Sequence, residues 1–203
     1  MVNIAVFCSG SGSNFQAIAE SINKGYIKNA KVAIMITDTP DCFARERAKK
    51  LGIETFVAER KDFKTKNDFE QCIIGELKKK NVGLIVLAGY MRMLSPSFVK
   101  EYKNKILNIH PALLPSFKGT QGIKDALDCG VKVTGPTVHF VDVEMDGGPI
   151  IFQEAVLIKE GDTEETLAPR IHEAEHRIYP KVIKLFAEGK LKVIGRKVIV
   201  KDE

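Results

Sequence analysis

Three continuous apolar runs, residues 3–8, 31–37 and 82–88, leave this chain few folds to choose from. A strand covered on both faces has no wet side, so its sequence loses the in–out alternation of a half-exposed strand. Between the runs the pattern changes period. Residues 14–24 and 44–51 read as helices, the second closed by Gly52, and residues 53–57 as a short strand. Phe69, Cys72, Ile73 and Leu77 share one face of a helix expected over residues 68–80. Strands and helices that alternate at these lengths build right-handed βαβ units on a parallel sheet.

The second half reads differently. Residues 133–141 and 149–156 are strands on either side of Glu144-Met-Asp-Gly-Gly148, which predicts a long antiparallel pair joined by a glycine-rich turn. A helix is expected over residues 120–129, stopped by Gly130. A long helix should run to about Ala187, capped by Asp162 or Thr163, with Asp162 and Glu165 spaced as a capping box. Residues 191–194 and 197–200 suit a small hairpin through Gly195, with residues 201–203 frayed beyond it. The fold class is therefore α/β: a single-domain open twisted sheet over residues 1–203. Its Rossmann-like parallel half extends to about residue 105, and its second half, from about 106, carries antiparallel strands and a long C-terminal helix.

In such sheets ligands lie beyond the carboxyl ends of the strands, where strand order reverses. Ser9-Gly-Ser-Gly-Ser-Asn14 follows the first strand and opens a helix, so its hydroxyls and free N–H groups suit an anion. It is neither a dinucleotide fingerprint nor a P-loop, and a plain tight turn accounts for it equally well. Gly89-Tyr-Met-Arg-Met-Leu94 combines a hinge, adaptable apolar side chains and one cation, a mixture suited to a flat heteroaromatic ligand; the alternative is a core turn with Arg92 paired at the surface.

The chemistry is expected in Ile106-Leu-Asn-Ile-His-Pro-Ala-Leu-Leu-Pro115. Alternation puts Asn108 and His110 on one face of a strand and Leu107 and Ile109 on the other. Pro111 removes a backbone donor and holds His110 extended, so the strand should end with an amide and an imidazole side by side at its rim. His139, between Val138 and Phe140, reads as a hydrogen-bonded structural histidine, and Asp146 alone reads as turn chemistry.

Several classes are disfavoured. A formal charge of +5 comes largely from dispersed lysines, as in Lys78-Lys79-Lys80, which suits small anions better than nucleic acid. Four cysteines without a C-x-x-C pair signal neither a disulfide framework nor a thiolate metal site, and a reducing cytoplasm is the default. No apolar stretch reaches membrane length. His172-Glu-Ala-Glu-His176 matches the zinc-protease spacing H-E-x-x-H but lacks a third ligand in the expected arrangement. That helix face lines an anion site or is simply solvated.

Six motifs then coincide: Ser9 to Asn14; Leu87-Ala-Gly-Tyr-Met-Arg-Met-Leu-Ser95; Leu107-Asn-Ile-His-Pro-Ala-Leu-Leu-Pro115; Val138-His-Phe-Val-Asp142; Met145-Asp-Gly-Gly-Pro-Ile150; and Glu175-His-Arg-Ile-Tyr-Pro180. In this order, over nearly the whole chain, they resemble the folate-dependent formyltransferases, in particular the glycinamide ribonucleotide branch. The resemblance implies transfer of a formyl group from 10-formyltetrahydrofolate, as co-substrate, to the amine of glycinamide ribonucleotide in purine biosynthesis. It implies catalysis by Asn108, His110 and Asp146 without a metal. Gly12, Ser13 and Asn14 would take the substrate phosphate, Glu175 its ribose hydroxyls, with His172 nearby. Tyr90, Met91, Arg92, Met93, Leu94, Val141, Asp142 and Met145 would line the folate pocket, and Lys66 would meet its glutamyl tail. The chain departs from the family pattern at Thr120-Gln-Gly-Ile123, which lacks a histidine commonly found there. The expected partners are these small molecules, with no nucleic acid and no membrane, for a monomer or homodimer.

Other readings remain. A 10-formyltetrahydrofolate hydrolase or a methionyl-tRNA formyltransferase usually carries an extra domain that this chain is not expected to have. An incomplete G-x-G-x-x-G weighs against a nucleotide-binding oxidoreductase, and an Asn108, His110 and Asp146 set weighs against a non-catalytic sensor.

Overall fold

A computed structural model describes residues 1–201. They form two compact units that divide between Leu107 and Asn108.

The first unit contains β1 (Val2–Phe7), α1 (Ser13–Asn23), β2 (Ala30–Thr37), α2 (Phe43–Lys50), β3 (Thr55–Val57), a 3-10 turn at Arg60–Asp62, α3 (Lys66–Lys79), β4 (Val82–Leu87) and α4 (Pro96–Glu101). Its parallel strands lie in the order β4-β1-β2-β3. β1 is central, and Ile4, Ala5, Val6 and Phe7 are fully buried, which is why this run carries no polar alternation. From β1 the chain builds outward through β2 and β3, then returns to place β4 on the other side. Strand order therefore reverses between β1 and β4, and the loops that follow those two strands flank the reversal.

Helix α3 starts at Lys66, two residues before the expected position. Thr65 caps it: its Oγ1 accepts from Asp68 N at 3.1 Å, and Asp68 Oδ2 accepts from Thr65 N at 3.2 Å. This reciprocal pair is a capping box built on Thr and Asp.

β5 (Ile106–His110) carries the chain from one unit into the other. The second unit continues with α5 (Gly122–Asp128), β6 (Val133–Thr134), β7 (Thr137–Phe140), β8 (Ile150–Gln153), β9 (Val156–Leu157), α6 (Glu164–Ala187), β10 (Leu191–Ile194) and β11 (Lys197–Val200). Here β7 and β8 are antiparallel, β10 and β11 form the expected hairpin, and β11 joins β8 in parallel.

The long antiparallel pair expected over residues 133–141 and 149–156 is interrupted on both sides. β6 and β9 leave the main pair and form a separate two-stranded ribbon, Val133 opposite Leu157. Gly135, at φ 144, is where the break occurs: a Cβ there would stand 1.9 Å from Glu154 O, so only glycine allows the two backbones to cross this closely.

On α6, Leu167, Ile171, Ala174, Ile178 and Val182 are buried at helical spacing and make its core face. Its cap differs from the expected Asp162–Glu165 pair. Thr163 is the N-cap and its N–H donates to Thr166 Oγ1 at 3.0 Å, while Asp162 accepts from Lys159 N at 2.6 Å and pairs with Arg170. The tail is better held than expected. Lys201 N donates to Lys190 O at 2.8 Å, and residues 202 and 203 lie outside the described residues.

Candidate functional site

In the second unit, Asn108 and His110 occupy the last turn of the pleat before Pro111 ends β5, as the period-2 reading requires. His110 is only 3% exposed. Its Nε2 lies 2.7 Å from Phe117 O; a carbonyl can only accept, so Nε2 carries a proton and donates. Nδ1 then points at Asp146 Oδ2, 3.6 Å away. In the neutral ring that nitrogen presents a lone pair to a carboxylate, and a proton on Nδ1 turns the contact into a charge-assisted one.

Asp146 reaches this position from the turn between β7 and β8. It adopts φ 50, a left-handed conformation that Asp tolerates better than most residues. Its Oδ2 also accepts from Gly119 N at 2.9 Å, and its Oδ1 stands 3.7 Å from His139 Nε2. The carboxylate is thus held by a backbone donor and lies between two imidazoles.

His139 is a hydrogen-bonded structural histidine, as expected, but its partner was not foreseen. It is hydrogen-bonded and 2% exposed, as a structural histidine should be, but its partners are the site itself. Its Nδ1 donates to Phe140 O at 2.9 Å, which leaves Nε2 as an acceptor for Asn108 Nδ2–H at 3.2 Å. Burial holds the His139 pKa below its ordinary value, against the opposing pull of the Phe140 carbonyl and Asp146. The neutral ring therefore fixes which way the Asn108 amide faces. The available signal was polarity, since Asn108 stands between Leu107 and Ile109 and His139 between Val138 and Phe140.

Behind these groups, Thr137 Oγ1 donates to Ala112 O at 2.7 Å and accepts from Leu114 N at 3.0 Å, while Gln153 Nε2 donates to Leu114 O at 2.9 Å. They fix the segment that follows His110, which includes a cis Leu114–Pro115 peptide. Val141 and Asp142 are half-buried and Met145 is 45% exposed, all near the Asp146 turn. On α6, His172 is exposed and Glu175 is 5% exposed. Among the described residues no group of three or more His, Cys, Asp or Glu side chains is placed to hold a metal ion.

In the first unit, Gly12 is the N-cap of α1 at φ 71, and Ser13 and Asn14 open the helix. A Cβ on Gly12 would stand 2.7 Å from Ala44 Cβ, so α2 packs directly against the loop and only glycine fits. At this helix start Gly12 and Asn14 are buried and Ser13 is half-buried, and the N–H groups of a helix start suit an anion.

Tyr90, Met91, Arg92, Met93 and Leu94 line a cavity of about 300 Å³ together with Arg60, Lys66, Phe69 and Glu70. The Tyr90 ring packs edge-on against Phe7, and burial pushes its hydroxyl pKa up, so it stays neutral. Arg92 contacts Asp38 through Nε at 2.5 Å and lies over the Phe69 ring. Arg60, Phe69 and Glu70 were not expected to line it, because they come from elements distant from the loop along the chain.

A parallel α/β unit with a Gly-Ser loop opening α1, followed along the chain by a unit that sets an amide, two imidazoles and a carboxylate together, fits an α/β group-transfer enzyme. Residues 2–183 match the model of the formyl transferase family, and the chain belongs to that family. It is 47% identical over 184 residues to the phosphoribosylglycinamide formyltransferase of Bacillus subtilis, covering 91% of this chain and 94% of that protein. It is also 45% identical over 192 residues to the trifunctional purine biosynthetic protein adenosine-3 of Gallus gallus, covering 95% of this chain but only 19% of that longer protein. Among solved structures, glycinamide ribonucleotide transformylase 1 from Symbiobacterium toebii superposes with a TM-score of 0.97 at 44% identity, covering 100% of this chain and 95% of that one. No described helix is long and apolar enough to cross a membrane.

Proposed function

We infer that this chain transfers the formyl group of 10-formyltetrahydrofolate to the primary amine of glycinamide ribonucleotide, giving the N-formyl product and tetrahydrofolate in purine biosynthesis. The observation that carries the reading is the convergence of Asn108, His110 and Asp146, with His139 fixing the amide.

Attack of the amine on the formyl carbon forms a C–N bond and places negative charge on the formyl oxygen. Asn108 Nδ2–H is a neutral donor already oriented for that charge, and such a donor typically contributes on the order of 10²–10³ in rate. His110, protonated on Nδ1 and with its two N–H groups directed at Phe117 O and Asp146, contributes positive charge that favours the oxyanion through space. Asp146 sits opposite that nitrogen and balances its charge. As the carbon–nitrogen bond to folate breaks, the proton released by the amine passes to the departing folate nitrogen, with Asp146 and His110 moving it.

Gly12, Ser13 and Asn14 take the phosphate, Glu175 the ribose hydroxyls, and His172 serves as an outer contact. The cavity lined by Tyr90–Leu94 is of ligand size, mixes apolar side chains with charged ones, and carries Lys66 and Arg60 as cations for a glutamyl carboxylate. Val141, Asp142 and Met145 complete the folate contacts. The setting is cytoplasmic, with small-molecule partners and no nucleic acid or membrane, for a monomer or homodimer.

The test is a spectrophotometric formyl-transfer assay run with and without glycinamide ribonucleotide. Turnover that requires the ribonucleotide is expected. Turnover without it identifies a hydrolase, and none in either condition overturns the proposal.

A further inference from the structure

Ser9 and Asp38 lie between the two ligand-binding loops of the first unit and touch both. Ser9 ends the β1 run, and its N–H donates to Gly89 O at 3.0 Å. Its hydroxyl accepts from Met91 N at 3.0 Å and donates to Asp38 Oδ1 at 2.6 Å. Asp38, whose side chain is 6% exposed, follows β2 and holds Arg92 through Oδ2. The first residue of the Gly-Ser loop is therefore bonded to three points of the cavity loop, at Gly89, Met91 and, through Asp38, Arg92. All of this sits at the β1/β4 reversal.

We propose that Ser9 and Asp38 are positioning residues that couple the two subsites: a phosphate ligand at Gly12–Asn14 strengthens binding in the Tyr90–Leu94 cavity, and the reverse. The proposal rests on the functional reading above for the identity of the two ligands. The physical basis is shared ordering. Met91 and Met93 are more than half exposed in the cavity loop, so a ligand seated there restricts side chains that solvent leaves loose. Hydrogen bonds through one hydroxyl and one carboxylate make that ordering common to both loops. Linkage then requires equal effects in both directions.

The experiment uses tetrahydrofolate, which has no formyl group to transfer, and glycinamide ribonucleotide as probes. Calorimetry measures the affinity for each in the absence and presence of the other. In the unaltered protein each ligand should tighten the other by about fivefold or more, within the usual range of such couplings. In Ser9→Ala and in Asp38→Asn the coupling should fall to within about twofold of none. Asn at 38 keeps an acceptor for Ser9 but turns a donor or a neutral oxygen to Arg92. Ser9→Thr, which retains the hydroxyl, should restore it. A merely structural role lowers both single affinities and leaves their coupling in place. Coupling that is absent in the unaltered protein, or persists in a folded variant, overturns the proposal. Hydrogen exchange needs no variant: glycinamide ribonucleotide alone should slow exchange of the Met91 amide, and unchanged exchange with the ribonucleotide bound counts against the link. Failure of the unaltered protein to bind either probe overturns the functional reading instead.

Discussion

Asn108 and His139 are fixed as donor and acceptor, Nδ2 to Nε2 at 3.2 Å, because the other ring nitrogen of His139 is committed to Phe140 O. The amide proposed to bind the oxyanion is thereby oriented by a residue that need not touch substrate. His139→Ala should lower kcat by less than the ~10²–10³ expected for Asn108→Ala, with smaller changes in either KM. Steady-state kinetics of the two variants side by side test the order.

The same histidine gives a pH dependence. Burial holds its pKa below the ordinary 6.5, Asp146 and Asp142 oppose that shift and His110 reinforces it, so the unfolded chain binds a proton that the folded one refuses. Stability should fall as pH drops below about 6.5, and the loss should level off once pH is below the folded value. Urea denaturation between pH 7.5 and 5.5 should show this slope for the unaltered protein and a shallower one for His139→Gln.

Asp146→Asn keeps an oxygen for the Gly119 N–H but removes the charge opposite His110 Nδ1. Single-turnover transfer should slow by about 10²–10⁴ while folate binding changes little. A rate within threefold of normal in rapid-quench measurements sinks the assigned role.

Thr137 is fully buried and its hydroxyl makes hydrogen bonds to Ala112 O, Leu114 N and Gln153 Nε2. Thr137→Val preserves shape and strands those partners, at a cost of about 1–3 kcal/mol. The denaturation midpoint should drop, and activity should fall with it because the segment after His110 loosens.

Asn14→Ala should weaken glycinamide ribonucleotide more than folate, and Gly12→Ala should do so more strongly, because its Cβ has no room beside Ala44. Equal losses of both ligands in calorimetry would remove the phosphate role from this loop.

Much of this was legible along the chain. Burial on both faces writes itself into a strand as an unbroken apolar run, so β1, β2 and β4 were visible, as were the helices whose apolar residues recur every three to four positions. Alternation placed Asn108 and His110 on one face. What pairing decides was less visible. The break at Gly135 depends on a carbonyl from Glu154, nineteen residues away, and the α6 cap depends on which of two hydroxyl or carboxyl groups reaches the Thr163 N–H.

Residue types and local periodicity determined the strands, the helices and the chemical repertoire, because those follow from each residue's own backbone preference and its near neighbours. Only the tertiary structure made His139 a partner of Asn108, gave Asp146 two imidazoles, and tied Ser9 to Arg92 through Asp38. Hydrogen bonds act over about 3 Å, and no spacing along a chain encodes which distant atoms will come that close.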